Sequence, residues 1–316
     1  MIKTLLKKAR DILLEMLFAP SGTGLLTFTI MLLLSFFNLI NTTLFFSGNG
    51  WMLLMLPIAF VLPFLFFLAS RGGTKYMPTI HFELPKKIHI PIIAFATAFL
   101  LLGSALIRIL LLDGKYIEFP LYNTFFAHRN GSFWNDIYLV LMFCIIPPIF
   151  EGIIFRGAFI KEHDKRGRLV ATVFSSLMFA LLGFSFSELL PRFFVGILLC
   201  IVLYATSSLT LTIAMHIAYN FFAVFFEPTL VSIKTVSSNY ELFAFLLALS
   251  ILVLGIFLFS HLSRLYRKYS KDKFGENLVR STPKEKSFWN LIELGTSIPS
   301  IACFVLFLIV TLIIEI

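Results

Sequence analysis

Apolar residues along this chain come in long runs, and polar residues gather between them. A helix that crosses a bilayer needs about 20 mostly apolar residues in succession. By that measure the runs predict spanning helices at 24–46, 51–70, 90–112, 137–160, 169–187, 193–206, 207–227, 242–260 and 298–315. Only Ala205-Thr206-Ser207-Ser208 separates 193–206 from 207–227, and the first of the two is barely long enough to span. Residues 1–18 follow another pattern. Lys3, Lys7, Lys8 and Arg10 alternate with Leu5, Leu6, Ile12, Leu13 and Leu17 at three- and four-residue spacing. That spacing fits a basic amphipathic helix on the membrane surface, or a cytosolic lead-in with basic anchors. The expected fold class is all-α, a polytopic membrane helical bundle with about eight core transmembrane helices plus one C-terminal helix. The expected organisation is a lead-in at 1–18, a core at 19–260, a basic cytoplasmic linker at 261–288 and a C-terminal transmembrane segment at 289–316.

Composition agrees with the pattern. The chain is 59% hydrophobic and 14% charged, with 39 phenylalanines, whereas a soluble domain is about a quarter charged. The net charge of +9 does not point to nucleic acid, because the basic residues cluster in the gaps between apolar runs. Arg71, Lys75, Lys86 and Lys87 fill one gap, and Lys161, Lys165, Arg166 and Arg168 another. The 261–288 gap carries Arg264, Arg267, Lys268, Lys271, Lys273, Arg280, Lys284 and Lys286. All of these fall on one side of the predicted topology. The positive-inside rule then puts the amino terminus in the cytoplasm and the carboxyl terminus outside. Cys144, Cys200 and Cys303 all lie in apolar runs without CxxC spacing, so neither a disulfide framework nor a zinc-thiolate site is expected.

Two places put polar chemistry where lipid should be. The first is Pro147-Pro148-Ile149-Phe150-Glu151-Gly152-Ile153-Ile154-Phe155-Arg156-Gly157. Charged side chains at membrane depth are costly, and by default they mark function. Glu151 and Arg156 are five residues apart, about 140° around a helix, so they are a poor ion pair. The position one turn from Arg156 is Gly152, which has no side chain. Burial of a neutral carboxyl would account for Glu151, and snorkelling toward the Lys161 end would account for Arg156. The second place is His216-Ile217-Ala218-Tyr219-Asn220. His216 and Asn220 share one helical face. Two convergent donors there can stabilise an oxyanion, or they can join helices by hydrogen bonds.

Glu151 with Phe155-Arg156-Gly157, then Phe179-Ala180-Leu181-Leu182-Gly183, then His216-x-x-x-Asn220 together resemble the CPBP family. That family holds the type II CAAX prenyl endopeptidases, Abi-type bacteriocin-processing and self-immunity proteins, and lysostaphin-resistance-like membrane proteins. Its pattern is Glu-Glu-x-x-x-Arg, Phe-x-x-x-His and His-x-x-x-Asn, and the resemblance covers about 135–227. It implies that Glu151 is the base that activates water, that Arg156 is the motif arginine, and that His216 and Asn220 stabilise the oxyanion. The second glutamate is replaced by Gly152 and the second-motif histidine by Gly183, and both losses should hollow the site. A metal at Glu151 and His216 would have two strong protein ligands, short of the three usual in catalytic zinc sites. No cofactor is expected.

The resemblance therefore implies a bacterial multi-pass membrane protein, catalytically impaired or inactive, that acts as a scaffold or regulator of a membrane or cell-envelope partner. The alternative is an active intramembrane endopeptidase in which Glu151 activates water. Proton-coupled transport is a third reading, which the lack of an internal repeat disfavours. The expected partners are the lipid bilayer and a membrane-protein or envelope-assembly partner.

Overall fold

A computed structural model describes residues 61–62, 64–65, 68–69, 90–111, 119–273 and 284–315. The lead-in at 1–18, the span predicted at 24–46 and most of that at 51–70 lie outside them. The elements are α1 (Ile90–Leu111), α2 (Pro120–Ala127), the long α3 (Phe133–His163), α4 (Arg168–Leu181), α5 (Phe186–Thr206), α6 (Leu209–Phe225), α7 (Glu227–Val231), α8 (Ile233–Val236), α9 (Tyr240–Lys273), α10 (Lys284–Gly295) and α11 (Ile298–Glu315). No strand occurs among the described residues. α1, α3, α5 and α9 are long and apolar enough to cross a membrane. A fifth crossing is present if Ser287–Gly295 and Ser300–Leu312 form one span bent by 57°. α4 and α6 are apolar but shorter.

One departure from the predicted spans shapes the site. α5 begins at Phe186 rather than 193, so Glu188, Pro191 and Arg192 lie in the helix and not in a loop. Pro191 lies inside this helix, in its second turn, where it removes the N–H that would bond to the Ser187 carbonyl. The last helix also packs into the body of the bundle. Cys303, Phe307 and Val310 belong to the main hydrophobic core, and the Phe307 ring meets Phe186 edge-on at 5.4 Å.

α3 is one rod interrupted twice by π-helical turns, Leu141–Ile145 and Gly152–Phe159. Such turns inside α-helices often mark functional sites. The cause of the first lies in Pro147 and Pro148. The Phe143 carbonyl would normally accept from residue 147 in an α turn or from residue 148 in a π turn. Both are prolines and have no N–H. An orphaned carbonyl at membrane depth costs several kcal/mol. Asn220 of α6 supplies the missing donor, its Nδ2 reaching the Phe143 carbonyl at 2.9 Å. Farther along, Ser175 of α4 donates to the Phe155 carbonyl at 2.9 Å.

α4 and α5 pack closely because Gly196 has no side chain. A Cβ there would lie 2.9 Å from the Ser176 Cα, and small residues allow this kind of approach between membrane helices. At the far end of α3, Tyr204 donates to Asp164 at 2.8 Å. Burial pushes the Asp164 carboxyl up, while the Tyr204 bond and Arg168 hold it back. α10 docks on the same corner. Asn290 donates to the Arg166 carbonyl at 2.8 Å, and Arg166 pairs with Glu293 at 3.0 Å. α9 faces outward, with only 11% of its spanning window buried in protein.

Candidate active site

The site forms where α3, α4, α5 and α6 meet. Glu151 stands between the two π turns' backbone and the α6 face, and it is 6% exposed. Its Oε2 lies 3.4 Å from Nε2 of His216, and its Oε1 lies 3.6 Å from Nη2 of Arg192. The structure therefore brings Glu151 and His216 together, along with Arg192, which the predicted spans leave in a loop.

Phe179 of α4 is the hub. The guanidinium carbon of Arg156 lies 4.1 Å from its ring centre, and that of Arg192 lies 4.7 Å away. The His216 ring meets it edge-on at 5.1 Å. Desolvated guanidinium–aromatic contacts of this kind are worth about 2 kcal/mol. They explain how two cations can be held in a dry site. Arg156 is 2% exposed and does not snorkel. Its nitrogens face the Cys200 thiol, and no oxygen acceptor reaches them among the described residues. It makes no ion pair with Glu151 among those residues, in keeping with their positions on α3.

Asn220 is not directed at Glu151. Its amide is committed to the Phe143 carbonyl, one helical turn from His216. Of the four residues matched to the family motifs, the structure joins Glu151 with His216, stacks Arg156 beside them on Phe179, and uses Asn220 to secure the kinked helix.

The two glycines do not leave the expected hollows. A Cβ on Gly152 would lie 2.5 Å from Cγ1 of Ile213, so Ile213 fills that space. A Cβ on Gly183 would lie 2.9 Å from Cδ of Arg192 and 3.1 Å from Cβ of Glu188. The stem of Arg192 thus occupies the place of the missing imidazole. The next residue, Phe184, adopts a left-handed backbone with φ 43°, a strained conformation for a bulky residue. Ser185 and Ser187 bond to each other at 2.8 Å, and Glu188 turns to Arg108.

Residues 133–222 match the family model for type II CAAX prenyl endopeptidase Rce1-like proteins. This stretch is similar to the Rce1-like domain of CPBP-family proteins. It runs from α3 into α6 and contains Glu151, Arg156, Gly152, Gly183, His216 and Asn220. No curated protein matches the chain, and no solved structure does. In the matched stretch no group of three His, Cys, Asp or Glu side chains converges among the described residues. The two guanidinium groups beside Glu151 would also repel a cation.

Sequence reasoning missed Arg192 because the span was started at 193. The usable signal was Glu188 and Arg192 at i, i+4 within an otherwise apolar run. It also passed over Arg108 and Glu227, which sit near the ends of predicted spans. The rule that singled out Glu151 applies to them equally.

Proposed function

We propose that this multi-pass membrane protein is a non-hydrolytic member of the CPBP family that serves as a scaffold or regulator of a membrane or cell-envelope partner. The observation that carries the reading is Arg192. Its stem fills the space at Gly183, and its guanidinium faces Glu151. Glu151 is enclosed on both carboxylate oxygens, by Arg192 at 3.6 Å and by His216 at 3.4 Å. We further propose a bacterial membrane with the amino terminus inside, on the strength of the basic loops at 161–168 and 261–288.

The test is hydrolysis by the purified full chain in lipid nanodiscs, using prenylated and unprenylated hydrophobic peptides. The expected result is no cleavage above that of Glu151→Gln. Cleavage by the natural chain that disappears in Glu151→Ala overturns the proposal. In cells, a scaffold keeps its phenotype in Glu151→Gln.

One observation favours a second reading, the intramembrane endopeptidase. Glu151 and His216 remain adjacent and buried, so a base and a donor persist. On that reading Glu151 activates water when Arg192 withdraws, and Arg192→Ala raises cleavage.

A further inference from the structure

A second buried charge cluster lies one turn of α5 away from Glu151. Arg108 of α1 pairs through Nη2 with Glu188 Oε1 of α5, and its Nε lies 3.1 Å from Glu227 Oε1 of α7. Ser104 donates to the same Glu227 oxygen at 3.2 Å. Glu227 is fully buried, and its Oε2 has no hydrogen-bond partner among the described residues. Tyr219 of α6 stands among Glu227, Glu188, Arg108 and Arg192.

Among the described residues, formal charges in the two clusters are unbalanced in opposite senses. Glu188 and Glu227 face one guanidinium, Arg108. Around Glu151 there are two, Arg156 and Arg192, with the imidazole counted as uncharged. Arg192 belongs to both clusters by geometry. It reaches Glu151 across the bundle at 3.6 Å, longer than a good charge-assisted hydrogen bond. It also lies four residues after Glu188 on the same helical face. Turning Arg192 from Glu151 to Glu188 would neutralise both clusters at once and vacate the space at Gly183. With Arg192 on Glu151, the Glu188–Arg108–Glu227 cluster keeps one uncompensated negative charge. A dry interior removes such a charge by taking up a proton.

We propose that Glu227 is a proton-binding site whose occupancy is coupled to the Glu151 site through Arg192. With the proton on Glu227, Arg192 stays on Glu151 and the candidate active site is closed. When the proton leaves to the aqueous phase, Arg192 is drawn to Glu188 and the site opens. The coupling does not depend on whether Glu151 supports hydrolysis, and its test reads protonation rather than cleavage.

The experiment is infrared difference spectroscopy of the full chain in lipid nanodiscs across a pH titration. A protonated carboxyl band is expected at neutral pH. It disappears in Glu227→Gln and shifts in Glu227→Asp. Glu188→Gln removes the surplus negative charge, so the band's midpoint falls by about one pH unit or more, a tenfold change in proton affinity. Glu151→Gln lies in the other cluster, yet it frees Arg192 for Glu188 and moves the midpoint in the same direction. Arg192→Gln removes the compensating cation and raises the midpoint. The proposal is overturned if no band is assignable to Glu227 at any pH where the chain stays folded. It is equally overturned if Glu151→Gln leaves the midpoint unchanged, or if the midpoint follows sodium concentration rather than pH.

Discussion

Asn220 shows how a motif residue can be tied to backbone geometry. Its amide fills a donor vacancy created by two prolines on another helix, Pro147 and Pro148. Asn220→Ala leaves the Phe143 carbonyl buried without a donor, at a cost of about 1–3 kcal/mol. Pro147→Ala restores a backbone N–H at the α-helical distance from Phe143. A double-mutant cycle on unfolding in detergent should therefore show Pro147→Ala rescuing Asn220→Ala. An Asn220 whose role was to bind an oxyanion would show no such rescue. The glycines make a parallel case. Gly183→His alone should destabilise the chain, because the new Cβ meets Arg192 Cδ at 2.9 Å, and overpacking costs about 1–3 kcal/mol. Adding Arg192→Ala should recover most of the loss. A melting temperature for Gly183→His equal to the natural chain's would mean that Arg192 is not held in that space. Restoring the family's residues at both glycines therefore also requires shortening Ile213 and Arg192.

At the scale of elements, long apolar runs made most described helices legible. Composition alone cannot tell a helix end from a loop when the end carries charge. That is why α5 was read as starting at 193 and α4 as running to 187. The buried partners that neutralise Glu188 and Arg192 come from α1 and α3, far away in sequence. Glu151 and His216 were legible because one charge in a long apolar run stands out, and because their motifs resemble a family. The π turns were not legible: Pro147 and Pro148 remove the N–H groups, but the donors that satisfy the α3 carbonyls come from α6 and α4. The contact of α4 with α5 gives a prediction at this scale. Gly196→Ala places a Cβ 2.9 Å from the Ser176 Cα, a backbone atom that cannot swing aside. The helices must separate, and stability should fall by about 1–3 kcal/mol. Gly295→Ala, where a Cβ meets nothing within 4 Å, is the matched control and should change little.

For the whole molecule the governing fact is the arrangement of buried charge. Among the described residues, Glu151, Glu188 and Glu227 stand against buried Arg108 and Arg156 and half-buried Arg192, spread over α1, α3, α5 and α7. Ion pairs of this kind cost nearly as much to desolvate as they return, but losing one partner leaves a bare charge in a dry interior. Arg108→Ala should therefore be far more damaging than any single change at Glu188 or Glu227. It leaves two carboxylates facing each other, and a loss of about 3–5 kcal/mol is expected for breaking such a cluster. In a protein of ordinary marginal stability that prevents accumulation in the membrane. Glu227→Gln leaves the Arg108–Glu188 pair in balance and should accumulate normally. The triple change Arg108→Met, Glu188→Gln, Glu227→Gln removes the charges together and should restore accumulation that Arg108→Ala abolishes. Quantifying membrane-inserted protein for these variants separates the two roles of the cluster. If the triple variant accumulates yet loses the cellular phenotype, the charges act in function. If it regains the phenotype as well, they act only in holding the helices together, and a proton on Glu227 has no consequence for the cell.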